Sequence, residues 1–219
     1  KNSSFFSKNR HSFEKVEFIE LLNEEEARLY CDISESAILD FISLSQNQTC
    51  QIRNSDIFYI RYLAEKYEVS YLTKVLSNII SNNQKELFLD SFLFNIRQQN
   101  ENKDNLLILS EDIKIIAKNL NNYITQDKLL NIPISYLYQI FNEYFAIHDD
   151  NTLDSEKELE IINFFFKCLD KNGSDASVLF SLHDFTKKRT FIMTKLTKKY
   201  QNLFDFRFLS NDFLKSSLI

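Results

Sequence analysis

Leu72-Thr73-Lys74-Val75-Leu76-Ser77-Asn78-Ile79-Ile80 decides the fold class. Its apolar residues, Leu72, Val75, Leu76, Ile79 and Ile80, recur at i, i+3, i+4, i+7 and i+8, the spacing of one face of an α-helix. The same period extends in both directions. Upstream, Asn54 or Ser55 caps a helix carrying Ile57, Ile60, Leu63, Ala64 and Tyr67, and Ser34 or Ser36 caps one carrying Ile38, Leu39 and Ile42. Downstream, Phe88, Phe92, Leu93 and Ile96 mark a further helix.

The wholly polar run Gln98–Asn105 reads as a subdomain junction or a long exposed loop. Beyond it, Ser110 is expected to cap a helix with Ile113, Ile116, Ala117, Leu120 and Ile124. Pro133 suits the first turn of the next, which uses Leu137, Phe141 and Phe145. Ser155 and Glu158 form a capping-box pattern ahead of Leu159, Ile162, Phe165, Phe166 and Leu169. Gly173 stands where a left-handed residue would end that helix. Two more helices are predicted near 174–182 and 186–203, followed by alternating Phe204, Phe206 and Phe208.

Strands are expected only in the first part. Val16–Leu22 and Ala27–Cys31 read as short strands flanking an acidic turn, although Phe13, Val16, Glu17 and Glu20 fit the helical period as well. Thr49–Ile52 reads as an edge strand. Residues 1–12 and 209–219 read as a flanking linker and tail.

Composition narrows the function classes. One glycine and one proline stand where average usage would place about 15 and 11. Such a chain has no Gly-rich phosphate loop, dinucleotide-binding turn or nucleophile elbow of the usual form. The accompanying 21 Phe, 10 Tyr and no Trp fit an AT-rich coding sequence. A net charge of −5 with 26% charged residues is an ordinary balance. The longest apolar run, around Ile161–Phe166, is far below the ~18 residues of a membrane span. Cys31, Cys50 and Cys168 are scattered, as small hydrophobes in a reducing intracellular compartment, cytoplasmic or nuclear, would be. Sequons at Asn2, Asn47 and Asn172 are no more than chance supplies. The chain opens at Lys1 with no signal-peptide pattern, so a fragment of a longer protein is expected.

Candidate chemistry is sparse. Asp170–Asp175 resembles a calcium loop, but its glycine is at position 4 and Ser181 occupies position 12, so a helix C-cap is the better reading. His148, Asp149, Asp150 and Asp154 lie in one loop with no second cluster at ligand spacing, and His11 and His183 have no triad context. No catalytic residue, cofactor site or metal site is expected. The strongest charge asymmetry is Lys187, Lys188, Arg189, Lys195, Lys198 and Lys199, with no acid between Asp184 and Asp205. Lys188, Lys195 and Lys199 share one helical face, while Phe191, Ile192, Leu196 and Leu203 occupy another. This is either the wet side of an ordinary amphipathic helix or a contact face for nucleic acid or an anionic membrane surface.

The run Arg28–Leu39, then Cys50-Gln51-Ile52-Arg53, then the helices from Asn54 to Phe94, is similar to the core of degenerate BTB/POZ-like domains. Ile132–Ile140, Phe166–Gly173 and Ala176–Leu182 resemble the BACK-like helical extension of protist proteins that join such domains to ankyrin repeats. The resemblance covers roughly residues 13–208. It implies a mainly α protein: a small α+β BTB-like part with few short strands over 13–97, then an all-helical BACK-like extension of stacked helical hairpins over 104–208. It further implies a non-enzymatic adaptor for protein partners, with ankyrin repeats following and a ubiquitin-ligase scaffold as one such partner. It leaves homodimerisation open.

Overall fold

The computed structural model describes residues 33–98, 105–148, 154–210 and 213. The protein is mainly helical, and no strand occurs among the described residues. The chain divides into two compact units, Lys1–Arg97 and Gln98–Ile219. The proposed strands at 16–22 and 27–31 lie outside the described residues.

In the first unit, α1 (Glu35–Ser45) starts at Ser34, whose side chain accepts the Ala37 N–H at 3.2 Å. This satisfies one of the amides a helix start leaves open. Helix α1 buries Ala37, Ile38, Phe41 and Ile42. Residues 49–53 then run as irregular chain, which corrects the edge strand expected at Thr49–Ile52. Among the described residues no strand lies beside them to complete a ladder.

Helix α2 (Ile57–Lys66) is preceded by Asp56, not by Asn54 or Ser55, and Asp56 makes no side-chain cap. Its carboxylate is instead drawn away from its own helix. Ser34 donates to it at 3.1 Å, Ser36 at 2.8 Å and Ser55 at 3.1 Å. Asp56 is 4% exposed, so these hydroxyls replace the water it has lost. They also tie the starts of α1 and α2 together.

Helix α3 (Ser70–Asn82) packs on α2, and α2 on α1. The apolar stripe that defined α3 is divided by this packing. Leu72 and Leu76 are buried and Ile80 is packed against the core, whereas Val75 and Ile79 face solvent. Helix α4 (Phe88–Gln98) closes the unit through Phe94, which meets the rings of Phe58, Tyr59 and Tyr62. With no glycine available, Asn47 and Glu68 take positive φ of 61° and 56° at the ends of α1 and α2.

In the second unit, α5 (Asn105–Lys118) begins five residues before Ser110, which is therefore inside the helix and not its cap. A short helix α6 (Leu120–Tyr123) and a 3-10 turn (Asp127–Asn131) lead to α7 (Ile134–Ile147). Pro133 sits one position earlier than expected: it precedes the helix with extended ψ of 146°, and helical dihedrals begin at Ile134. Helix α7 packs on α5 through Leu137, Ile140, Phe141 and Tyr144.

Helix α8 (Ser155–Asn172) corrects the capping box. Its cap is Asp154, which accepts the Glu156 N–H at 3.4 Å, so Ser155 is already the first helical residue. Glu158 is displaced to the fourth helical position and is buried. Gly173 ends α8 at φ 64° and ψ −147°. Its φ is left-handed as expected, but its ψ is extended, a combination open essentially to glycine alone.

The helix predicted near 174–182 is a 3-10 helix over Gly173–Ser181, buried through Ala176, Ser177, Leu179 and Phe180. That predicted over 186–203 is shorter: a 3-10 turn, Thr186–Lys188, and α9 (Arg189–Lys199). Leu203 is outside α9 and exposed. Aromatic rings fill the centre of this unit. Phe165 lies 4.8 Å from Phe141, 5.4 Å from Phe180 and 6.0 Å from Phe185, all near edge-to-face. Such tilted pairs avoid opposing like faces of the ring quadrupole.

Candidate functional site

Helix α8 supplies the candidate site, because its polar residues divide between two surfaces. Along one edge it receives lysines from α9 and from the 3-10 turn before it. Lys188 Nζ bonds Ser155 Oγ, Lys195 Nζ donates to Asn163 Oδ1 at 2.9 Å, and Lys199 Nζ donates to Asp170 Oδ1 at 2.8 Å. The order 155, 163, 170 against 188, 195, 199 means that the two helices run in the same direction. Lys195 also lies 4.6 Å above the Phe191 ring and 4.8 Å above the Phe166 ring, as a cation over two aromatic faces.

The face shared by Lys188, Lys195 and Lys199 therefore meets α8. Of the remaining basic candidates, Lys187 and Lys198 are exposed, and Arg189 lies 5.7 Å from the Phe213 ring. The structure gathers three of the six on one neighbour and spreads the others. Sequence periodicity had aligned the three lysines correctly, but no signal in the α9 segment names α8 as what they meet.

The electrostatics follow from these bonds. Hydrogen bonding from Lys199 holds the Asp170 carboxyl below its ordinary value, with Tyr200 adding to the effect. Lys199 is raised in turn to about 12, by its bond to Asp170 and then by Tyr200. Tyr200 stacks on Phe166 at 5.1 Å and donates to Asp170 at 3.0 Å, and burial raises its own phenol.

The second surface of α8 is a cleft of about 630 Å³, within the usual range for ligand-sized pockets. Ile124, Leu159 and Phe164 provide its apolar lining. Glu156, Glu160, Asn163 and Lys167 line it in a row spaced i, i+4, i+7 and i+11, on one side of the helix. Asp154 and Lys157 complete the polar wall. The row spans about 16 Å at the rise of an α-helix. Its carboxylates gather toward the start of α8, and Lys167 stands at the other end. Asn163 belongs to both surfaces, since its Oδ1 accepts a hydrogen bond from Lys195 and its side chain also lines the cleft. Sequence reading did not single out these residues, because a polar row on an amphipathic helix is what any wet face shows.

The two described histidines pack against aromatic rings. His183 stacks on Phe145 at 4.6 Å and 8°, and His148 lies edge-on to Tyr144 at 4.5 Å. Among the described residues, no group of three His, Cys, Asp or Glu side chains is placed to hold a metal ion. Cys168 is buried, and burial raises its thiol to about 12. No helix among the described residues is long and apolar enough to cross a membrane.

No protein-family model, curated protein or solved structure matches this chain.

Proposed function

We propose that the chain is a non-enzymatic protein–protein interaction module acting as an adaptor. On this reading residues 13–97 are a degenerate BTB/POZ-like domain, and 104–208 are a BACK-like extension of stacked helical hairpins. The setting is intracellular, and a ubiquitin-ligase scaffold and following ankyrin repeats belong to the same reading.

The observation that supports it is the cleft beside α8. An apolar lining suits one anchoring side chain, and the row running from Glu156 and Glu160 to Lys167 sets the direction and register of a bound segment. The partner segment would carry a basic residue toward Glu156 and Glu160, an apolar residue toward Phe164, and an acidic residue toward Lys167. The competing reading, a nucleic-acid or anionic-membrane binder, has less support. Lys188, Lys195 and Lys199 already bond to α8, which leaves Lys187 and Lys198 as the exposed lysines that do not bond to it.

The test is capture from the source cell with three baits: the native chain, a Glu160→Lys/Lys167→Glu variant and a Lys187→Glu/Lys198→Glu variant. A defined protein that is lost with the first variant and kept with the second is the expected result. Recovery of nucleic acid or lipid alone, lost with the second variant, overturns the reading.

A further inference from the structure

The second unit holds a further cavity, of about 390 Å³, that shares no lining residue with the cleft beside α8. Two stretches of chain line it: the end of the Gly173–Ser181 3-10 helix with the residues after it, and the segment around a later 3-10 turn, Phe206–Phe208. Phe180, Phe185, Leu209 and Phe213, all buried, form its apolar wall. Its volume is toward the small end of ligand pockets and suits a molecule with one ring.

The chief polar group of this cavity is Arg207, which Asp205 holds from behind. Asp205 is itself anchored, because its N–H donates to the buried Ser177 hydroxyl at 3.0 Å. Its carboxylate accepts the Arg207 backbone N–H at 3.0 Å, and the guanidinium through Nε at 2.9 Å and Nη2 at 2.6 Å. These bonds occupy one edge of the planar group. The Nη1 donors and the second Nη2 hydrogen take no partner among the described residues, so the outer edge stays open with its plane already set. Ser210 adds one more donor, since its Oγ accepts the Phe213 N–H at 3.1 Å and keeps its own proton to give.

We infer that this cavity binds a small aromatic carboxylate, with its ring against Phe180, Phe185 and Phe213 and its carboxylate on the outer edge of Arg207. Two parallel N–H groups match the two oxygens of a carboxylate, a fit that an ammonium group does not give. A phosphate dianion fits less well. Among the described lining residues there is no lysine and no second arginine, whereas Asp184 stands there as a like charge. His183, also in the lining, already has its ring stacked on Phe145. An aromatic body gains more than apolar area, because tilted ring pairs add to burial. An anion without a ring leaves the apolar wall uncovered and gains only the polar contact. The site is separate from the cleft beside α8 and does not depend on the function proposed there.

The experiment titrates the full 219-residue chain with hydrocinnamate at neutral pH, followed by ligand-observed nuclear magnetic resonance. Saturable binding with a Kd near or below about 1 mM is expected for a ligand of this size. Hydrocinnamide, phenyl phosphate and acetate, which lack the charge, the planar head and the ring in turn, are expected to bind at least about tenfold more weakly. Arg207→Gln is expected to weaken hydrocinnamate at least about tenfold. Arg207→Lys, which keeps the charge and loses the fork, is expected to weaken it several-fold, and Lys187→Gln, outside the cavity, to leave it unchanged. A circular-dichroism melt establishes that each variant is folded. The inference is overturned by no saturation below about 10 mM, by equal binding of hydrocinnamide or phenyl phosphate, or by undiminished binding to Arg207→Gln.

Discussion

Lys199 Nζ donates to both carboxylate oxygens of Asp170, at 2.8 and 3.0 Å, and fixes the last turn of α9 beside the end of α8. The pair is substantially exposed, so its effect on stability is small and is read best through pH. Asp170 is depressed from 3.8, so its contribution is present above that value and is lost as pH falls through the depressed one. Lys199 is raised from 10.5, so its contribution is present below that value and lost as pH rises through about 12. The urea midpoint of Asp170→Asn is expected to lie slightly below the native one at neutral pH. The two midpoints converge well below pH 3.8. An equal difference at both ends of the range would show that the substitution acts by some route other than the ion pair.

Asp56 is expected to be a large single polar contributor to the first unit. Replacing Ser36 with Ala removes one hydroxyl bonded to a buried carboxylate, for about 1.5–3 kcal/mol. Asp56→Ala disconnects Ser34, Ser36 and Ser55 together and is expected to cost at least as much. A double-mutant cycle of Asp56→Ala with Ser36→Ala, followed by denaturant unfolding, measures the coupling. Strict additivity would rule out the bond as the cause.

Gly173→Ala tests a backbone effect free of crowding. No heavy atom lies within 4 Å of the position a Cβ would take, yet φ 64° with ψ −147° is closed to alanine. A loss of about 1–3 kcal/mol is expected from conformation alone. A neutral result in thermal unfolding would mean that α8 ends in a more ordinary geometry.

The two described cysteines should react unequally. In a Cys31→Ser chain, Cys50 is partly exposed, whereas Cys168 is buried with its thiol raised to about 12. A thiol reagent at neutral pH is therefore expected to label Cys50 slowly, since burial and Asp40 raise that thiol too, and Cys168 only on unfolding. Mass spectrometry of labelled peptides with and without denaturant decides it.

Several features of the fold were legible in individual residues. The 3.6-residue period identified the helices around Ile60, Leu76, Ile116, Phe141 and Phe165, and those residues are in the cores of their units. Of the two candidate caps, Ser34 and Ser36, the structure uses Ser34, whose hydroxyl has a local partner in the amide three residues on. Misreadings arose where two local candidates competed or where a distant group intervened. Asp154 took the cap ahead of Ser155, and Asp56 turned from its own helix to hydroxyls some twenty residues earlier. The cleft was not legible, since Ile124 and Glu160 are distant in sequence and come to line it together only through packing.

The sequence by itself determined that this chain is mainly helical, because periodic burial and capping act over one or two turns and are written in neighbouring residues. Tertiary structure alone decided what each face meets. The lysine face of α9 lies along α8, and the α3 stripe is half core and half exposed ridge. Periodicity records the polarity a face requires, but the neighbour that supplies it is set by chain segments far away in sequence.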